Sequence, residues 1–344
     1  MAITGTEILQ LQVGVDKLFQ DVENRDTDYG VFEKLWDGRK SLYGALATPE
    51  GMKTLDPEAS ITSAKLASFE NKGDDAGTAR ASGHAGSSLS STSQTITWAT
   101  VTQGFGISKK DADSNFFKEE AQLAQGFLTA RQICLKQMTD AALAFLEANK
   151  SGVSAVTSYP INNVSFDGTN DIHNVANGGK DLFFSILQTI MKANNYGNFG
   201  IDFIHDYNIM QLANDYFHQG SGNDVNKQYQ ISPNFSYASA LISAPALSAG
   251  VGYMFPKGAV AAISAIPKMN RRGDRGDNQI WGSIADKVYP ELTWGVNVRE
   301  VAQDGSINQD LHKYVELSLD YSFGKAKLSA TDETVIQKVA LLNA

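Results

Sequence analysis

Residues 114–150 carry apolar side chains at three- and four-residue steps, and this run constrains the fold more than any other feature of the 344-residue chain. One stripe is Phe117, Ala121, Ala124, Leu128, Leu135, Met138, Ala142 and Phe145, and an adjacent one is Phe116, Leu123, Phe127, Ala130, Cys134 and Ala141. The pattern predicts a single helix, with Asp113 and Ser114 as capping residues and Gly152 as its terminator. At ~1.5 Å per residue, about 37 residues make a rod of ~55 Å, against a mean of ~11–12 residues for globular helices. A rod with so wide an apolar face must lie along a sheet or along other subunits. Phe117, Leu128, Leu135, Met138 and Phe145 are read as its packing onto the body rather than as contacts between molecules.

The stretches around the rod differ in kind. Residues 4–22 predict an amphipathic helix, with Thr4 and Glu7 at capping-box spacing and Ile8, Leu11, Val15, Leu18, Phe19 and Val22 on one face. Phe32, Leu35, Trp36, Leu42, Tyr43 and Leu46 continue the apolar pattern, but Gly38 and Gly44 lead us to expect a broken or extended segment. The whole of 1–58 is thus expected to be an arm rather than a compact domain. Residues 153–180, rich in Asn, Gly and Ser, are expected to be loop. A helix is predicted over 181–195, a strand over 201–205, a helix over 206–219, and a hairpin over 251–266 with Pro256-Lys257-Gly258 as its turn. A polar, Arg-rich loop follows at 268–282. Residues 291–301 and 312–323 alternate as two strands, with Leu292, Trp294, Val296 and Val298 on one side of the first and Val315, Leu317, Leu319, Tyr321 and Phe323 on one side of the second. Asp304-Gly305 supplies the turn between them. Helical and strand-rich stretches are segregated rather than alternating, so the class is α+β and not a doubly wound sheet.

Residues 61–70 and 94–107 are strand candidates, the latter rich in Thr, Ile, Val and Trp. Between them lies NKGDDAGTARASGHAGSSLSSTS, almost without large side chains. Two readings stay open for it: a flexible linker, or the tip of a long two-stranded hairpin leaving the body. A lone hairpin is marginal in water and would need a neighbouring subunit to lie on.

Chemistry-bearing motifs are missing from the sequence. Gly178-Gly179-Lys180 lacks the leading glycine of a phosphate loop, and Gly104-Phe105-Gly106 lacks the third glycine of a dinucleotide turn. There is no His-Glu-x-x-His and no Gly-x-Ser-x-Gly. The five histidines (His84, His173, His205, His218, His312) are scattered, and the single cysteine, Cys134, sits inside the helical pattern. We expect no catalytic residues, no cofactor and no metal. Lys+Arg is 29 against Asp+Glu 38, a net charge of −9, so the chain lacks the basic footprint of a dedicated nucleic-acid binder. No apolar run reaches ~18 residues, and the N-terminus lacks a basic-then-apolar signal, so a soluble protein is expected. Arg275-Gly276-Asp277 is read as part of a polar turn, and the Asn-x-Ser triplets at Asn149, Asn163 and Asn234 as chance matches.

Taken in order, the pieces resemble a known family. The arm, the Gly/Ser-tipped hairpin, the single very long helix, the mixed lobe and the closing antiparallel strands, with texture such as NFFKEEAQLAQGFLTARQICLKQMTDAALAFLE and GYMFPKGAVAAISAIP, resemble the major capsid proteins of tailed bacteriophages, the Hong Kong 97-type shell fold shared with encapsulins. The resemblance covers nearly the whole chain. It implies an N-arm at 1–58, an E-loop hairpin at 59–108, a spine helix of the peripheral domain at 109–152, an axial domain at 153–267, and peripheral-domain strands with a C-terminal segment at 268–344. It implies self-assembly as pentamers and hexamers into an icosahedral shell around double-stranded DNA, without catalysis and without sequence-specific DNA binding. Scaffold, portal and decoration proteins would be the other partners, and the bacterial cytoplasm the place of assembly. A negative charge fits a container wall that should not grip a packaged polyanion.

Under that resemblance the inter-subunit contact candidates are Lys65, Phe69, Lys72, Asp74, Asp75, Arg80 and Trp98 in the hairpin, where Lys72, Asp74, Asp75 and Arg80 can form ion pairs between subunits. The basic cluster Arg271, Arg272 and Arg275 faces a neighbour, DNA or solvent. No cleaved leader segment is expected. No isopeptide crosslink is expected either: Lys65 and Lys72 are available, but no matching asparagine is evident. The competing readings are an encapsulin-type compartment, an oligomeric phage tail or baseplate protein, and an enzyme with dispersed catalytic residues.

Overall fold

The computed structural model describes residues 11, 13–15, 30–44, 63–69, 91–108, 119–157, 161–194, 196, 200–206, 208–209, 212, 231–235, 248–265, 279–289, 292–302, 311–325 and 335–342. The long apolar run is one helix, α2, at Glu119–Ala148, 30 residues and ~45 Å. Its predicted first turn, with Phe116 and Phe117, lies outside the described residues. The helix stops before Gly152: Asn149 folds back so that its backbone N–H and its side-chain amide both donate to the Phe145 carbonyl, at 3.0 and 2.9 Å. Both stripes serve the core. Ala124, Phe127, Leu128, Ala130, Cys134, Leu135, Met138 and Ala142 are all buried.

Beneath α2 lies a sheet ordered β10-β11-β12-β3, made of β3 (Ala99–Ser108), β10 (Gln279–Ala285), β11 (Thr293–Ala302) and β12 (Leu311–Lys325). The alternation read in the sequence holds: Trp294, Val296 and Val298 face inward opposite Leu317 and Val315. The segment expected as loop to residue 282 is already strand from Gln279. A second sheet of six strands is ordered β4-β5-β13-β8-β6-β7. It comprises β4 (Val164–Asp167), β5 (Ile172–Val175), β6 (Ile201–His205), β7 (Ile231–Phe235), β8 (Ser248–Pro256) and β13 (Gln337–Leu342). The helix α3 (Phe183–Ala193), predicted by sequence, sets Phe183, Phe184, Leu187, Ile190 and Met191 in the core. Residues 208, 209 and 212 of the next predicted helix are helical, with Ile209 buried.

Four further expectations change. Residues 153–180 are not loop: they hold the β4–β5 hairpin, whose turn is fixed by Asp167 accepting from the Thr169 N–H at 2.9 Å and from the Asn170 side chain at 2.7 Å. The predicted hairpin at 251–266 does turn, through Gly258 at φ 74° and an Ala259 N–H to Pro256 carbonyl bond of 2.9 Å. Its two strands then part: β8 stays in the six-stranded sheet, whereas β9 (Val260–Ala265) pairs with β12 at 320–325. β13, grouped by its sequence position with the 268–344 strands, lies between β5 and β8 in the six-stranded sheet. Finally, the segment expected to be broken or extended is a helix, α1 (Gly30–Gly44). Gly38 does not interrupt it. A Cβ there would stand 2.4 Å from the Val260 carbonyl oxygen, so glycine lets α1 lie directly on β9.

The arm is therefore docked in its described part. Leu11, Val15, Val31, Phe32, Leu35 and Trp36 belong to the same core as the rest of the chain, and Lys34 reaches the buried Asp202 carboxylate of β6 at 2.8 Å. Arg131 of α2 enters the interior to meet Asp286 at 2.6 and 3.0 Å. That carboxylate also accepts from the Trp294 indole at 2.9 Å and from the backbone N–H groups of Val288 and Tyr289 at 2.9 and 3.0 Å.

Candidate assembly surface

The hairpin expected at 61–107 forms. β1 (Ser63–Phe69) and β2 (Ser91–Thr97) pair antiparallel with Ser63 opposite Thr97 and Phe69 opposite Ser91. Neither takes a third strand among the described residues. A two-stranded ribbon leaves a row of unpaired backbone groups along each outer edge and is only marginally stable by itself. Lys65 sits opposite Thr95 within this ladder.

The stretch read as one strand at 94–107 is two, separated at Trp98. That residue joins the ribbon to β3. Its indole Nε1 is enclosed and has no hydrogen-bond partner among the described residues. Beyond Trp98, β3 is fastened to the body through its register with β12, from Ala99 opposite Tyr321 to Ser108 opposite His312, and Thr100 donates to Asp320 at 2.6 Å. Lys65, Phe69 and Trp98 are thus on or at the root of the ribbon. Lys72, Asp74, Asp75, Arg80, Arg271, Arg272 and Arg275, together with the hairpin tip and the Asp304-Gly305 turn, lie outside the described residues.

The face of the five-stranded sheet turned away from α2 is not singled out by the sequence. Thr100, Thr102, Gly104 and Gly106 of β3 are exposed there, opposite Asp320, Ser318, Glu316 and Tyr314. Gly104, Gly106, Asn297, Arg299, Tyr314 and Glu316 line a shallow depression of about 260 Å³. Arg299 stacks over the Tyr314 ring at 5.3 Å, and the His312 ring stacks with Tyr314 at 6.1 Å. The sequence signal was there, in the alternate residues of the two strands facing away from the apolar side. One cation and one carboxylate around small residues make a mixed-charge contact surface rather than an acid–base pair. Among the described residues no three His, Cys, Asp or Glu side chains converge as metal ligands, and no helix is long and apolar enough to cross a membrane.

No protein-family model and no curated protein matches the chain. Solved structures do. The capsid asymmetric unit of cyanophage A-1(L) is similar over 92% of this chain and 94% of its own, at 12% identity and a TM-score of 0.51. The capsid structure of cyanophage P-SCSP1u is similar over 84% and 86%, at 10% identity and a TM-score of 0.45. The mature capsid of bacteriophage PhiM1 is similar over 83% of both chains, at 12% identity and a TM-score of 0.43. With its long helix, its unshared ribbon and its two sheets in the order described, the chain has the α+β, Hong Kong 97-type fold of tailed-phage capsids.

Proposed function

We propose that this chain is a major capsid protein, which self-assembles as pentamers and hexamers into the icosahedral shell enclosing a phage genome. The observation that carries the reading is the likeness in fold to the cyanophage A-1(L) capsid over nearly the full length of both chains. The two-stranded ribbon supports it physically, because its edges, which take no third strand among the described residues, are satisfied by a neighbouring copy. The role is structural, not enzymatic. Lys65, Phe69 and Trp98, with Lys72, Asp74, Asp75 and Arg80 from the sequence between the two strands, make the inter-subunit contacts, with Arg271, Arg272 and Arg275 at a second contact. Residues 1–58, 59–108, 109–152, 153–267 and 268–344 correspond to the N-arm, E-loop, spine helix, axial and peripheral parts, with β13 and β9 exchanged between the last two. Scaffold and portal proteins, and a decoration protein, complete the particle in the bacterial cytoplasm. Double-stranded DNA is enclosed without sequence reading, as a net charge of −9 favours.

Negative-stain microscopy of the purified chain at rising concentration tests this. Closed shells or capsomers are expected, and reversing Asp74 and Asp75 to lysine is expected to abolish them while leaving the circular dichroism spectrum unchanged. A chain that stays monomeric at high concentration, with and without a scaffold protein, would refute the reading.

A further inference from the structure

The last turn of α2 ends on a half-buried charge cluster that no sequence motif announced. Glu147 accepts from the Tyr253 hydroxyl of β8, a short contact. It also accepts from Lys338 Nζ of β13 at 2.9 and 3.1 Å, and from Lys150 Nζ at 2.9 Å. Lys150 in turn donates to the Asn170 carbonyl in the β4–β5 turn at 2.9 Å. One carboxylate on the helix of the five-stranded sheet is therefore tied to three places in the six-stranded sheet. Burial alone would push the Glu147 carboxyl up, but hydrogen bonds from Tyr253, Lys150 and Lys338 hold it below the usual carboxylate range. Burial pushes the Lys338 ammonium down against the pull of Glu147.

A carboxylate at a helix C-terminus opposes the helix dipole, and a lysine as enclosed as Lys338 costs free energy unless it is paired. Helix stability gives no reason to place a glutamate here, so the reason is what it joins. The two sheets share one apolar core, and among the described residues polar and backbone links join them as well. A Ser151 N–H to Ile336 carbonyl bond of 2.7 Å runs beside the cluster, the chain crosses at 256–260, and Lys34 of α1, which lies on β9, meets Asp202 of β6 at 2.8 Å.

We propose that Glu147, with Tyr253, Lys338 and Lys150, is the joint that makes the two sheets one cooperative unit, so that they open and move together. This is a property of the single chain and does not depend on the shell reading. If the sheets move as one body, differences in shape between copies in an assembly fall on the ribbon root at Trp98 rather than on the sheet boundary.

Native-state hydrogen exchange on the full chain at low denaturant tests the joint. In the wild type, amides of 251–256 and 337–342 are expected to open with those of 293–302 and 311–325. In Glu147→Gln the first group is expected to lose protection by about tenfold or more while the second changes by less than about twofold. Equal shifts in both groups, or no shift in either, would overturn the proposal. Should Glu147→Gln fail to fold, Tyr253→Phe, which keeps the ring packing, is read against the same two outcomes.

Discussion

Removing the Asp286 carboxylate should damage the molecule more than any other single polar truncation in its interior. Asp286→Ala leaves the Arg131 guanidinium, only 6% exposed, without the partner it meets at 2.6 Å. It also orphans the indole of the fully buried Trp294 and the backbone N–H groups of Val288 and Tyr289. Breaking a buried pair by deleting one partner costs ~3–5 kcal/mol, and each orphaned buried donor ~1–3 kcal/mol. These losses are not additive where a loop can relax and admit water, so about 4–6 kcal/mol is expected, with the charge as the largest part. The charge argument has its own test. Arg131→Met combined with Asp286→Ala removes both ions, and the double variant should be more stable than Asp286→Ala alone by about 2 kcal/mol or more. Urea unfolding followed by tryptophan fluorescence measures all of these variants. If the double variant were as unstable as the sum of the two single variants, an uncompensated guanidinium would not be the cause, and the reasoning would be wrong.

Burial pushes the His173 imidazole down to about 4, against the opposing hydrogen bond with Gln337. The folded state therefore binds its proton less readily than the unfolded chain. Its contribution is fully present above pH ~6.5 and is lost as pH falls toward 4, by up to ~3 kcal/mol. Urea midpoints against pH should show that slope, and His173→Gln should flatten it. Gly38→Ala inverts a familiar sign: alanine gains ~1 kcal/mol in a helix interior, but here its Cβ would meet the Val260 carbonyl oxygen at 2.4 Å, so a net loss of about 1 kcal/mol or more is expected in thermal melts. Cys134 is fully buried and its thiol is pushed up to about 12. It should resist a thiol reagent at pH 8 in the native chain and react fully in urea.

What the sequence disclosed depended on the range of the signal. The α2 stripe repeats over many turns, and the alternation in β11 and β12 extends along two strands that are each buried on one side. Both could be read with no knowledge of partners. The 256–260 turn was equally visible, but a turn is a local property and strand partnership is not, so β8 and β9 looked like a hairpin although they serve different sheets. β4 and β5 have four residues each, too few for a period to register. β13 is buried along almost its whole length and so shows no alternation. Gly38 reads as a breaker in the sequence, because only the opposing Val260 carbonyl explains it. The ribbon was legible because strand-forming segments flank a stretch without large side chains. The outer face of β3 and β12 was not singled out, because small and polar residues on a strand look alike whether they meet solvent or a neighbour. The Glu147 cluster draws on residues up to 191 positions apart, with no local mark of its convergence.

The position of β13 has a consequence for biosynthesis. It fills the middle of the six-stranded sheet, yet the ribosome reaches it after every other described strand. Until then β5 and β8 face an empty lane, which closes only once the chain has emerged past Gln337. Late, long-range closure of this kind is slow. A nascent chain stalled short of Gln337 keeps two raw strand borders open and stays exposed to chaperones and proteases.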